Sequence, residues 1–350
     1  MLDMPQKSTQ TEAVPLMRTS GLKVHFPIRK GVMKRTVGHV RAVDGIDLEI
    51  REGETLSVVG ESGCGKSTLG QALLRNVEPT DGVIHFRNRD NDIVDLTALE
   101  IKQLRNYRTD IRMIFQDPFA SLNPRRRVID IIGESIRNAG ETSEARVREK
   151  VTRLLRRVGL RPEYLMRYPY AFSGGERQRI GIARALAVDP RLVVADECIS
   201  ALDVSIQAQT LNLLQDLQEE FRLTYVFISH DMSVVEYISD RVAVMYAGRV
   251  VELAETEPLF ERPRHPYTAA LLASVPRPDP KSARSSNRHW LAGEVADPAN
   301  RPTGCAFHPR CPFATDLCRT EDPAPRAVAD HQVACHHAHE LSLEGVRPNA

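Results

Sequence analysis

The chain has 350 residues, 42% hydrophobic and 27% charged, an ordinary globular composition with enough apolar material for a sizeable core. Lys and Arg number 47 against 46 Asp and Glu, a formal charge of +1, which excludes a global pull toward nucleic acid or anionic lipid. No run of 18 apolar residues is present to span a membrane, and Met1 to Met17 lacks the apolar centre of a secretion signal. A cytoplasmic setting is therefore expected, in which the six cysteines do not form structural disulfides.

Residues 1–17 read as a loose tail, followed by a strand at Leu22 to Phe26 and a basic, Gly-containing loop from Pro27 to His39. Strand-like alternation resumes over Val40 to Ile50, and Thr55 to Val59 is a short β-branched run suited to a buried parallel strand. A Gly-rich turn, Gly60 to Ser67, leads into a helix over Ser67 to Asn76; Glu78 to Asp95 reads as polar turns, and Ile111 to Phe115 as another buried strand. From Asp117 to Phe172 the pattern is helical. Ser143 can cap a helix whose apolar face is Val147, Val151, Leu154, Leu155 and Val158, with Gly159 placed to end it. A further helix covers about Gly175 to Ala187. Strands return at Leu192 to Ala195 and Thr224 to Ile228, joined by a helix at about Ile206 to Phe221. Val242 to Tyr246 and Arg249 to Leu253 form a hairpin around Ala247-Gly248. Strands alternating with helices imply an α/β fold, with 117–172 as a helical lobe; the Pro-, Arg-, His- and Cys-rich sequence after about Pro258 reads as an appended region.

Gly60, Glu61, Ser62, Gly63, Cys64, Gly65, Lys66 and Ser67 match the P-loop pattern G-x-x-x-x-G-K-[ST]. The glycines let backbone N–H groups curl around phosphate oxygens, Lys66 reaches the β and γ phosphates, and the Ser67 hydroxyl is a Mg²⁺ ligand. The position between a strand and a helix is what the mechanism requires; the helix N-terminus adds its dipole. Leu192 to Glu197 is an apolar strand ending in two carboxylates, Asp196 to hold Mg²⁺ through water and Glu197 to polarise the attacking water. By itself such a strand end is often a solvated edge. Ser173, Gly174, Gly175 and Glu176 open a helix and make a second anion cradle, although Ser and Gly also suffice for a plain N-cap. Two phosphate-binding ends in one chain suggest two copies facing each other. Gln116, after the strand Ile111 to Phe115, can orient water or reach the metal shell. His230, after Thr224 to Ser229, can bond the γ-phosphate. Each of these is weak alone.

The order of these motifs in one run resembles the ABC ATPase family, over about residues 18–260. Walker A falls at Gly60–Thr68, the Q-loop at Gln116, the signature at Phe172–Glu176, Walker B at Leu192–Glu197, the D-loop at Ser200–Asp203 and the H-loop at His230. The resemblance implies a P-loop fold with an antiparallel β subdomain, a helical lobe, and Phe26 as the aromatic that stacks on adenine. Two positions depart from the usual pattern: Cys198 stands where Pro is common, and Glu176 where Gln is common.

A finer resemblance, to the ATP-binding subunits of oligopeptide and dipeptide importers, rests on Val59 to Ser67, Phe115 to Pro124, Leu202 to Gln209, His265-Pro266-Tyr267-Thr268, Leu291 to Glu294 and Pro302 to Cys305. It implies an F-type subunit that pairs with a second, different ATPase subunit on the cytoplasmic face of the inner membrane. The pair works beneath two permease subunits, docked through the 117–172 lobe, with an external peptide-binding protein delivering cargo and no nucleic acid as partner. The alternatives are a soluble ABC protein acting on nucleic acid or ribosomes, which usually has two cassettes or a long coiled-coil insert, and an importer of a related cargo such as nickel or glutathione. In the 261–350 extension Cys305, Cys311, Cys318 and Cys335 are six, seven and seventeen positions apart. Zinc sites often use C-x₂-C pairs, absent here, whereas iron–sulfur clusters accept wider spacing. The resemblance implies a [4Fe–4S] cluster, with His308, His331, His336 and His337 nearby in sequence.

Overall fold

The computed structural model describes residues 14–31, 35–117, 121–274 and 296–346. Twelve described strands form two sheets. They are β1 (Met17–Lys30), β2 (Arg35–Ile50), β3 (Thr55–Val59), β4 (Asp81–Arg87), β5 (Ile93–Asp95), β6 (Ile111–Ile114), β7 (Leu192–Asp196), β8 (Thr224–Ser229), β9 (Arg241–Tyr246), β10 (Arg249–Glu255), β11 (Arg326–Val328) and β12 (His331–Val333). The antiparallel sheet has the order β2-β1-β4-β5, and the mixed sheet has the order β11-β12-β10-β9-β3-β8-β7-β6. The helices are α1 (Lys66–Leu73), α2 (Ile101–Leu104), α3 (Val128–Asn138), α4 (Glu144–Arg157), α5 (Gly174–Leu186), α6 (Val204–Phe221), α7 (Met232–Ile238), α8 (Thr256–Glu261), α9 (Pro266–Ala273) and α10 (Asp316–Thr320).

The central strands β3, β7 and β8 are buried along their whole length, which is why they read as unbroken apolar runs rather than alternations. They and β6 and β9 run parallel. One core joins the antiparallel sheet and α1 to this sheet, through Val24, Ile46, Leu69, Phe86 and Val226. A second core lies between the sheet and the helical lobe, through Ile132, Val147, Leu155, Ile182 and Phe227. In α4 the Ser143 hydroxyl accepts from Arg146 N–H, Val147, Val151, Leu154 and Leu155 are buried, and Gly159 has φ +72° just past the end. The helix is therefore capped and faced as its sequence implies.

Three readings are corrected. Pro27 to His39 is mostly not loop: β1 and β2 pair out to Lys30 and Arg35, with residues 32–34 outside the described set. Glu78 to Asp95 holds β4 and β5, not only turns. The region after Pro258 is not simply appended, because β12 pairs with β10 and extends the main sheet. Most of the tail, residues 118–120 and Leu291 to Glu294 lie outside the described residues.

Candidate active site

The parallel register sets the site. Val59 pairs with Ser229, Asp196 with Ile228, and Ile114 with Ala195. The residues that follow these strand ends therefore emerge along one edge: Gly60 after β3, Gln116 after β6, Glu197 after β7 and His230 after β8. In an open parallel sheet the carboxyl edge is where ligands bind.

The P-loop is held close to its neighbours. A Cβ on Gly60 would meet Met245 O at 2.3 Å, and one on Gly65 would meet Ala42 O at 1.9 Å. Gly65 also has φ +108° as the cap of α1, so these two positions need glycine for space and for backbone sign. Ser62 and Gly63 are exposed at the tip, and Thr68 lies half-buried on α1. Cys64 is buried, and burial pushes its thiol up, which makes it an inert packing residue. Lys66 is 4% exposed and folds back onto the loop, its Nζ donating to Gly60 O at 2.7 Å and Glu61 O at 3.0 Å.

The two carboxylates divide as their surroundings dictate. Asp196 accepts from the Ser67 hydroxyl at 2.9 Å, which joins two of the Mg²⁺-binding candidates. Burial pushes the Asp196 carboxyl up, the negative Glu197 reinforces this, and Ser67 and Lys66 oppose it. A divalent cation is the charge that would relieve this site, so the donor set fits Mg²⁺, which takes one or two carboxylates plus phosphate and water. Glu197 has φ +42°, a strained conformation for a residue with a Cβ, and its N–H donates to Ile228 O at 3.0 Å. Its Oε2 accepts from Gln116 Nε2 at 2.9 Å, and its Oε1 lies 3.3 Å from His230 Nδ1. Gln116, Glu197 and His230, 81 and 33 positions apart along the chain, thus meet at one place, Gln116 hydrogen-bonded to Glu197 and His230 within ion-pair distance of it. Cys198 is 1% exposed and its thiol is pushed up to about 12 by burial, so it fills space at the turn where Pro is common and leaves the acidic pair in place.

Ser173 is the N-cap of α5, and with Glu176 it forms a capping box: Glu176 N–H donates to Ser173 Oγ, and Ser173 N–H donates to Glu176 Oε2. The cap and the anion cradle are thus the same residues. Gly174 faces Leu202, just before α6, and Gly175 faces α6, where a Cβ would meet Ile206 Cγ2 at 2.6 Å. Asp203 caps the start of α6 through its main-chain carbonyl, which accepts from Ile206 and Gln207. Phe26 lies on β1 with 42% of its surface exposed, opposite Val40 on β2.

Cys305, Cys311, Cys318 and Cys335 line one pocket together with Phe307, Phe313 and Leu341. Burial pushes the Cys311 and Cys335 thiols up to about 11. Four sulfur donors suit a thiophilic metal centre, and His308, His336 and His337 line the same pocket. Among the described residues, however, no group of three or more His, Cys, Asp or Glu is placed to hold a metal ion, so the four-ligand expectation is not met as a finished site. His331 is not beside the thiols' pocket: its Nδ1 bonds the buried Glu252 at 2.7 Å.

Sequence reasoning missed two contributors, Tyr267 and Arg310, both of which contact Glu61 from the C-terminal region. The phrase His265-Pro266-Tyr267-Thr268 marked Tyr267 by resemblance, and nothing in the sequence marked Arg310.

The family model for ABC transporters matches residues 43–200, and that for the oligopeptide/dipeptide transporter C-terminal region matches 251–318. The chain is 51% identical to the oligopeptide transport ATP-binding protein AppF of Bacillus subtilis over 322 residues, 92% of this chain and 97% of that protein. It is 48% identical to the dipeptide transport ATP-binding protein DppF of Haemophilus influenzae, over 93% of this chain and 98% of that protein. Among solved structures, the dimeric post-hydrolysis state of the ATP-binding cassette MJ0796 bound to ADP and Pi aligns with TM-score 0.60 and 27% identity. That alignment covers 69% of this chain and 98% of the other. Among the described residues no helix is long and apolar enough to cross a membrane. With a P-loop, an acidic strand end and a matching C-terminal region in one chain, the protein belongs to the ABC transporter family, among the ATP-binding proteins of oligopeptide and dipeptide transport.

Proposed function

We propose that the chain is the ATP-hydrolysing subunit of a peptide importer, working as one half of a two-subunit nucleotide sandwich. The observation that carries this is the meeting of Ser67–Asp196 and Gln116–Glu197–His230 at one sheet edge beside the P-loop. Lys66 and the P-loop amides hold the phosphates, and Ser67, Asp196 and Gln116 are the candidates for Mg²⁺, which neutralises charge on the phosphates when bound. Glu197 orients the attacking water and accepts its proton. Gln116 donates to one oxygen of Glu197 and His230 lies beside the other, so the two flank and orient its carboxylate. Phe26 offers an exposed ring for adenine. Ser173 to Glu176 and Asp203 act on the nucleotide held by a partner subunit of related but different sequence. Two permeases receive the motion through the 117–172 lobe at the cytoplasmic face of the membrane, and an external binding protein selects the peptide.

Replacing Glu197→Gln keeps shape and removes the base. ATP binding should persist, while turnover by the assembled transporter falls by about two to four orders of magnitude and peptide uptake stops. Turnover near the normal rate would remove Glu197 from the role. We infer further that Cys305, Cys311, Cys318 and Cys335 hold a [4Fe–4S] cluster rather than a zinc ion, a choice that rests on their wide spacing, with their common pocket as the place it would occupy.

A further inference from the structure

Glu61, the second residue of the P-loop, is held at three points. Its backbone N–H donates to the Tyr267 hydroxyl at 2.8 Å. Its carbonyl accepts from Lys66 Nζ at 3.0 Å. Its carboxylate takes a two-pronged grip from Arg310, with Nη1 to Oε2 at 2.6 Å and Nη2 to Oε1 at 2.9 Å. Two of the three anchors come from the C-terminal region, more than 200 positions away along the chain.

Arg310 is built in rather than draped on the surface. Its side chain is 4% exposed against 23% for Glu61. Its guanidinium lies 5.9 Å from the ring centres of both Tyr246 and Phe307, and Tyr246 and Tyr267 are themselves 4.7 Å apart. A forked Arg–carboxylate pair fixes orientation as well as distance, which a lysine cannot do. Arg310 also closes the single turn His308–Arg310, immediately before Cys311 and five residues after Cys305, two of the cysteines around the common pocket. The Cys305 N–H donates to Cys318 O at 2.9 Å, so this turn is tied to the rest of that segment.

We propose that Arg310 is a positioning residue for the phosphate-binding loop. It acts through Glu61 to fix the backbone whose carbonyls hold Lys66, and so sets the affinity for nucleotide. The C-terminal region is then a strut for the ATP site as well as a fold extension. Ordering the loop before nucleotide arrives removes a cost of binding, and its loss should weaken binding without touching Glu197 or His230. This rests on the P-loop reading given above.

The test is titration of the full-length chain with MgATP by calorimetry, alongside kcat and KM of the assembled transporter. R310A should raise the Kd and KM for MgATP about tenfold, with kcat at saturation near the parent value. R310K, which keeps the charge but not the fork, should fall between the two. E61Q should weaken binding, and the R310A/E61Q double variant should lose clearly less than the sum of the two single losses, because each change breaks the same forked pair. A purely structural role predicts lower thermal stability with unchanged affinity in the folded protein. Parent-like affinity in R310A, or in R310K and E61Q together should R310A not fold, overturns the proposal, as do additive losses in the double variant. Lys66→Ala separates the two readings. Unweakened binding in K66A rejects the P-loop assignment itself, whereas weak binding in K66A with normal binding in R310A rejects only the role of Arg310.

Discussion

Among the buried polar residues of the described chain, His265 stands at the start of α9. His265 is 1% exposed and caps α9, with its Nδ1 accepting from Tyr267 N–H at 3.0 Å. Burial holds its pKa down to about 4, outweighing the nearby Glu252 carboxylate and the Ala334 backbone, which raise it. The folded pKa lies below the unfolded value of about 6.5, so the unfolded chain binds the extra proton between the two. The contribution is whole above pH 6.5 and is lost as pH falls toward 4. From pH 7 to pH 5 the loss is about 2 kcal/mol. Asparagine at 265 keeps a capping acceptor without titrating. Urea unfolding at both pH values should therefore show the parent losing about 2 kcal/mol more than His265→Asn. Equal losses would clear His265 of acid sensitivity.

At the scale of elements, the helices that carry their own signals were readable. Helix α4 has a serine cap, an apolar stripe and a terminal glycine, and α5 has its capping box, all local features. The outer ends of β1 and β2 were not readable, because residues 27–30 and 35–39 are basic and mostly exposed and owe their strand geometry to cross-strand pairing rather than to burial. Strand β4 pairs on β1 and buries Ile84 and Phe86 at alternate positions, and the short, partly exposed β5 is a strand because β4 offers an edge. The segment from Cys305 to Cys335 has short helices and two three-residue strands, a small core that a metal centre would reinforce. The proposed [4Fe–4S] cluster predicts that protein purified without oxygen is brown and holds about four iron atoms per chain. A colourless preparation with one zinc would reject the cluster and keep a metal site.

At the scale of the molecule, several ties run from the C-terminal region into the body. Arg301 bonds Asp44 at 3.1 Å and also Asp322, Arg310 grips Glu61, and His331 bonds Glu252. Beyond the single chain, the Ser173 cradle is bonded within α5 and packs on α6, and its proposed target is a nucleotide on the partner. Ser173→Arg here and loss of the P-loop lysine in the partner subunit should then damage one shared site. ATP turnover of the doubly altered transporter should match the worse single change, a non-additive result. Additive losses would argue that the two nucleotide sites are separate.

What the sequence alone determined is the chemistry and its order. Lys66 after a glycine loop, two carboxylates ending an apolar strand, and Gln116 and His230 after further strands are local patterns whose residue types and flanks carry their meaning. The helical lobe was legible for the same reason, since amphipathic spacing and caps lie within a few residues of each other. Only the tertiary structure decided which strand ends share an edge, because parallel pairing joins residues far apart in the chain, such as Ile114 with Ala195. It alone placed Gln116 and His230 beside the two oxygens of Glu197, and Arg310 on Glu61. A forked ion pair across 249 positions leaves no trace in spacing or periodicity, since neither partner alters the pattern of its own segment. It exists only because the C-terminal region packs back beside the loop that binds phosphate.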